Sequence, residues 1–374
     1  MTRPRYLHDI PTPALVIDLA TMDRNIRRMA EFFASGACRL RPHFKAHKTP
    51  AIAKRQLAAG SCTGLTCATV GEAEIAAAFC DDILIANEII GPNKCASVAE
   101  LAKSIDLKIA VDSEEGLRQI AAAAAKAGAT VGVLVDVDVG LPRCGIAHGE
   151  PAVALARRVS VADSVELRGV MGYEGHVVGI EDREKRAARA LEAMERLTKT
   201  ARMIREAGLP CEIVSAGGTG TYDITGRIEG ITEIQAGSYV LMDTAYSKLD
   251  IPFEQAFSVL GTVISQPKPG LCVTDSGHKA CTQDHGNPGV RDVEGASVLF
   301  LSDEHATISI PAESVVRVGD RIQLWPSHID PTINLHDVFY ILDGETVVDI
   351  WPIAARGYLE QRKKEWAKAK LWLS

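Results

Sequence analysis

The chain has 374 residues, with 41 Lys and Arg against 48 Asp and Glu and a formal net charge of -7. At 47% hydrophobic and 24% charged, its composition is that of an ordinary globular protein, neither disordered nor fibrous. An acidic balance with no basic block disfavours nucleic acid and anionic membranes as partners, and no apolar run is long enough to cross a bilayer, so the expectation is a cytoplasmic protein.

This length predicts two domains. In chain order, Ala14 to Ile17, Arg39 to Phe44, Thr63 to Ala68, Ile83 to Asn87, Leu107 to Val111, Val131 to Val137, Leu167 to Tyr173 and Cys211 to Ser215 read as short apolar strands. Helical segments lie between them. Met22, Ile26, Met29, Ala30 and Phe33 form one apolar stripe; Thr49-Pro50 with Gly60 has the order of a helix start and stop; Thr69 with Glu72 and Asp112 with Glu115 have capping-box spacing. Strands apolar on both faces and separated by helices imply parallel pairing through crossovers. The predicted fold is therefore α/β, a (β/α)8 barrel over 1–256, with an open doubly wound sheet as the alternative. From about Phe257 the texture changes to short strands between Gly, Pro and Asp turns: Val259 to Ile264, Leu271 to Val273, Ala296 to Leu301, Ala306 to Ile310, Arg321 to Leu324, Phe339 to Leu342 and Thr346 to Ile350. This predicts a C-terminal all-β domain over 257–374, with residues near 1–18 able to pair with it and a surface helix from Glu360 to Ser374. Nine cysteines, scattered singly and without a CxxC pair, fit reduced thiols.

Four motifs could carry chemistry. In Arg41-Pro42-His43-Phe44-Lys45-Ala46-His47-Lys48, strand alternation would set His43, Lys45 and His47 on one face at a barrel rim, where a lysine among cations is a usable amine nucleophile. A basic, solvated strand end is the plain alternative. Ala216-Gly217-Gly218-Thr219-Gly220-Thr221, with Gly237-Ser238 after the next apolar segment, could form one phosphate cup from backbone N–H groups and hydroxyls, or be tight turns. Arg143 offers a guanidinium fork at a rim position, or a structural salt bridge; Tyr173 could touch a cofactor or simply pack. His328 and Asp330, two apart on what reads as an extended segment, could share a divalent ion such as Zn or Mn, or the histidine could be bonded within its loop.

Together RPHFKAHK, RCG, AGGTGT, QAGSYVLMD and PSHIDPTINLHD resemble, in order and spacing, the pyridoxal-phosphate enzymes of the alanine-racemase fold type, in the branch of D-threonine aldolases and D-serine dehydratases. The resemblance runs from Thr12 to Gly357. It implies a homodimer whose barrel holds pyridoxal 5'-phosphate and whose β domain holds a divalent metal (Mn, Mg or Zn). Lys45 matches the lysine bonded to the coenzyme; Gly218, Thr219, Gly237 and Ser238 match the phosphate loops; Arg143 and Tyr173 match neighbours of the coenzyme ring. His328 and Asp330 match the metal ligands of aldolases, whereas dehydratases typically have His and Cys there. The implied activity is metal-dependent cleavage of D-threonine and related D-β-hydroxy-α-amino acids to glycine and an aldehyde, catalysed through Lys45 and His328. Dehydration of D-serine or D-3-hydroxyaspartate is the nearest alternative, ahead of a non-catalytic coenzyme carrier or a racemase. Glu174 and His278 depart from the family pattern and are candidates to line the substrate pocket.

Overall fold

Apolar strands alternating with capped helices build one of two units; the structure is a computed structural model, and it describes residues 3–358. The predicted terminal helix at Glu360 to Ser374 lies outside the described residues. Among the described residues, no helix is long and apolar enough to cross a membrane. One unit comprises Met29–Lys45 and Ile52–Gly237; the other comprises residues through Arg28, Ala46–Ala51 and everything from Ser238.

In the first unit, eight strands pair in the order Arg39–Leu40, Glu233–Ile234, Ile213–Ala216, Val165–Gly172, Val131–Asp138, Asp106–Val111, Asp82–Glu88, Leu65–Cys67, every pairing parallel. Parallel bridges from Leu40 to Cys62 and from His43 to Thr66 link the two end strands, so the sheet closes on itself. The eighth strand is Glu233–Ile234 and not the predicted Ala14 to Ile17 segment, which belongs to the other unit. Helices return the chain between strands and end as hydrogen bonding requires. Ser113 accepts from Gly116 N–H to cap Glu114–Ala127, and Gly128 closes that helix at φ 67°, a left-handed conformation that costs glycine little. Asp112, expected as the cap, instead accepts from Gly145 N–H at 3.2 Å.

Period-two alternation fills the barrel interior in layers. Asp82, Asp106 and Glu233, each the first residue of its strand, meet Lys108 and Arg41, each 1% exposed, at 2.5–2.9 Å. Two residues further along the strands, Leu84, Ala110, Leu134 and Met171 form an apolar cluster. Two to four residues beyond those come Glu88, Asp112, Asp136 and Tyr173, at the carboxyl ends.

The second unit is a β sheet in the order Ser297–Leu301, Ala306–Ser309, Leu271–Thr274, Phe257–Lys268, Ala14–Asp18, Val338–Asp343, Thr346–Pro352; Arg321–Trp325 pairs with Phe257–Lys268, and Gly289–Arg291 with Arg321–Trp325. Ala14–Asp18 is central, antiparallel to Phe257–Lys268 and parallel to Val338–Asp343. Ile10, Ala14, Val16, Leu260, Leu342 and Val347 pack on one face.

Candidate active site

Because all eight barrel strands run the same way, their carboxyl ends converge on one rim. Lys45 follows Arg39–Leu40 in the turn Phe44–Ala46; Gly237 follows Glu233–Ile234; Gly217 to Thr221 follow Ile213–Ala216; Tyr173 and Glu174 follow Val165–Gly172; Arg143 follows Val131–Asp138. These are five consecutive strands of the ring, so residues spread over about two hundred positions of sequence become neighbours by topology. Backbone bonds tie the ends together: His43 N–H donates to Ala236 O at 3.0 Å, and Gln235 N–H to Ala216 O at 3.0 Å. The Arg143 guanidinium lies 5.7 Å from the centre of the Tyr173 ring, and a Cβ placed on Gly218 would sit 3.3 Å from that ring. Arg143, Tyr173 and Gly218 are thus brought together. Thr219 is buried at 2% exposure, and Ser238 opens the turn Ser238–Val240 directly after Gly237.

The alternation expected across Arg41 to Lys48 does not hold. The strand stops at Leu40, the chain coils into a short 3-10 turn at Phe44–Ala46, and Lys48 takes a left-handed φ of 53°. Pro42 supplies no N–H to a ladder, which favours the early stop. Lys45 stays partly exposed while His47 is fully buried, its Nδ1 accepting from Thr49 N–H at 3.2 Å. Without a strand here, period-two alternation does not set the direction of Lys45 or His47.

Two further acids join this rim: Asp136, missed by motif reading, and Glu174, singled out in the sequence only as a departure from the family pattern. Burial first, then the neighbouring carboxyl of Glu88 and the charge of Asp112, push Asp136 up to about 8, with Arg143 partly offsetting them. This keeps a proton on a carboxyl at neutral pH. An acid at an inward position of the apolar run Val131 to Val137 was the signal in the sequence. Glu174 is fully buried, and its carboxylate is occupied by the glycine loop: it accepts from Gly217 N–H, Thr221 Oγ1 and Thr225 Oγ1.

In the β-sheet unit, His328 and Asp330 come together, though not on an extended segment. His328 is the extended residue preceding the short helix Ile329–Asn334, and Asp330 is in its first turn, where Pro331 is tolerated because first-turn N–H groups have no partner within a helix. His328 Nε2 is 3.7 Å from Asp330 Oδ2, and its Nδ1 is 2.5 Å from Asp284 Oδ2. His285 stacks on His328 with ring centres 4.2 Å apart, and Asp284, His285 and His328 form a cluster able to hold a metal ion. Asp243 is pushed up to about 6, by burial above all and further by the charge of Asp330, against donation from Tyr246 and Ile329 N–H and the charge of His328. Asp284 lies 44 positions before His328, a separation at which no local period reveals the pairing. His278 is exposed, its N–H bonded to Ser302 O at 2.8 Å.

A family model described as alanine racemase, N-terminal domain, matches residues 17–245, and a domain model named for serine dehydratases matches 256–342. The chain is 38% identical over 355 residues to a D-threonine aldolase of an Arthrobacter species, covering 93% of each chain. It is 35% identical over 371 residues to the D-threo-3-hydroxyaspartate dehydratase of Delftia sp. strain HT23, covering 91% of this chain and 97% of that one. Among solved structures, the D-threonine aldolase from Filomicrobium marinum is similar at a TM-score of 0.93 and 38% identity, covering 95% of this chain and 99% of that one.

Proposed function

The chain belongs to the alanine racemase N-terminal domain family, and on that premise we propose that it is a lyase dependent on pyridoxal phosphate and a divalent metal, cleaving D-threonine and related D-β-hydroxy-α-amino acids to glycine and an aldehyde. The observation that carries this reading is the run of five adjacent strand ends bearing Lys45, Gly237, Gly218 with Thr219, Tyr173, and Arg143. The residues present fit the coenzyme. There is a primary amine at Lys45, a buried glycine loop against the Tyr173 ring, and a guanidinium beside that ring. Lys45 would hold the coenzyme aldehyde carbon, Gly218, Thr219, Gly237 and Ser238 its phosphate, and Arg143 with Tyr173 its ring. Bound there, the coenzyme supplies an electron sink for the bond broken at the substrate Cα.

The β-sheet unit fits a cation by the same kind of test. Asp243, Asp284 and Asp330 crowd like charge around one imidazole, which a divalent ion would relieve, and mixed nitrogen and oxygen donors suit Mn, Mg or Zn. A divalent ion supplies Lewis acidity that lowers the pKa of the β-hydroxyl. His328 Nε2 and Asp330 would be its ligands. Asp284 holds Nδ1 and so fixes the tautomer that leaves Nε2 open toward Asp330. A homodimer belongs to the same proposal.

Dehydration is the second reading, favoured by the relative from Delftia. Asp330 favours cleavage, since the resemblance typically places cysteine at that position in dehydratases. Incubating the purified protein with D-threonine and Mn should release glycine and acetaldehyde. Accumulation of a 2-oxo acid and ammonia instead would establish dehydration, and turnover of L-threonine at a comparable rate would remove the D-specific assignment.

A further inference from the structure

Glu174 is a fully buried acid placed directly behind the loop to which a phosphate dianion is assigned. Its Oε1 accepts from Thr221 Oγ1 and Thr225 Oγ1, both at 2.7 Å, and its Oε2 accepts from Gly217 N–H at 3.1 Å. Thr221 and Thr225 stand four apart, flanking and ending the short helix Tyr222–Thr225, so a single turn presents both hydroxyls to one carboxylate. Gly217 takes φ 76°, and a side chain there would meet Ile234 at 2.7 Å, so glycine is required where the loop starts. With the Thr221 hydroxyl proton committed to Glu174, its lone pair faces Gly218 N–H, 3.4 Å away. The carboxylate thus grips the loop at its first residue, at its last, and on the helix that follows.

A negative charge beside a phosphate site weakens phosphate binding by repulsion, so charge alone gives Glu174 no reason to be there. Geometry does. A glycine-rich loop is conformationally free, and freezing it at the moment of binding subtracts from affinity; a loop held beforehand avoids that loss. A carboxylate is suited to the task because it only accepts hydrogen bonds, and here it faces three donors.

We propose that Glu174 is a positioning residue that holds the loop from Gly217 to Thr221 in its phosphate-receiving shape before the coenzyme arrives, and so governs affinity for the phosphate end of the coenzyme and not for its ring. The inference rests on the coenzyme reading above. It predicts discrimination between pyridoxal 5'-phosphate and pyridoxal, which share the ring and the aldehyde and differ only in what the loop would hold.

The test is to titrate coenzyme-depleted full-length protein with each compound and follow the absorbance of the lysine-bound form. In E174A the affinity for pyridoxal 5'-phosphate should fall roughly tenfold to a hundredfold, as expected when buried donors lose their acceptor, with pyridoxal binding unchanged. E174Q should fall between, because its amide oxygen still accepts from the threonines while its NH2 faces Gly217 N–H. T225V removes one of the three bonds with little change of volume, and should shift the same ratio by a few-fold even if E174A does not fold. Equal losses for both compounds in E174Q and T225V would overturn the role of Glu174 and leave the coenzyme site standing. A wild-type protein that binds pyridoxal as tightly as its phosphate would overturn the phosphate loop itself, and the inference with it.

Discussion

At the amino ends of the barrel strands, Arg41 and Lys108 lie between Asp82, Asp106 and Glu233, each charge facing its opposite. At the carboxyl ends, Asp136 meets Glu88 and Asp112, like against like, and the glycine loop with Lys45 completes the rim. The same strands, a few residues apart, thus carry paired opposite charges at one end and, at the other, crowded acids that share a proton and are only partly offset by Arg143. The difference separates what holds the barrel from what reacts in it, because charge satisfied within the fold has nothing left to offer a ligand, whereas crowded acids and shaped loops keep theirs.

The largest expected effect falls on the reactive end. Lys45→Ala should abolish the absorbance of the lysine-bound coenzyme and all turnover, with the melting temperature little changed, while Lys48→Ala retains both. Borohydride that fixes the coenzyme to another lysine would break the comparison at its centre. Next comes the opposite end. Arg41→Ala leaves Glu233, 3% exposed, without its main cation, and should cost about 3–5 kcal/mol in urea unfolding, while the protein that remains folded binds coenzyme normally. A loss small enough to be that of a surface ion pair would mean that the paired charges do not hold the barrel base.

The smallest effect sharpens the contrast through pH. Asp136 titrates near 8 in the folded protein, chiefly through burial and then Glu88, against about 3.9 in an unfolded chain. A raised folded value means that the native state keeps a proton that the unfolded state has lost, so the stability from this group is fully present below the unfolded value and is lost as pH rises through about 8. Between mildly acidic and mildly alkaline solution, wild type should lose more melting temperature than Asp136→Asn, which cannot ionise. Parallel curves for the two proteins would show that the carboxyl end carries no such proton.

How much of this was legible in the sequence depended on range. The seven predicted strands of the second unit all occur, and Thr69 caps its helix by accepting from Glu72 N–H, because period-two patterning and capping act within a few residues. Most barrel strands were equally legible. What failed was the stretch from Arg41 to Lys48, where a ring closing through two-residue strands leaves too little regular backbone for alternation to govern side chains. The extended reading of His328 and Asp330 failed for a related reason, since a helix begins between them. Asp284 and the grip of Glu174 on Thr221 were beyond local reading, as their partners lie 44 and 47 positions away. Glu174 had stood out as a departure, yet it faces the loop from behind. His278, the other departure, is solvent-exposed.

The strand Ala14–Asp18 also sets the order in which this protein can be born. It lies in the middle of its sheet, its flanks taken by partners beginning at Phe257 and Val338, so Leu15 and Ile17 end with no exposed surface. A ribosome adding about 5–20 residues per second needs tens of seconds to reach the first of those partners. Through that interval the whole parallel barrel can be made and can close, while an apolar strand translated ahead of it waits with both edges open. The nascent chain therefore carries an open apolar edge from before the barrel is made until after it is complete, when the two partner strands are translated.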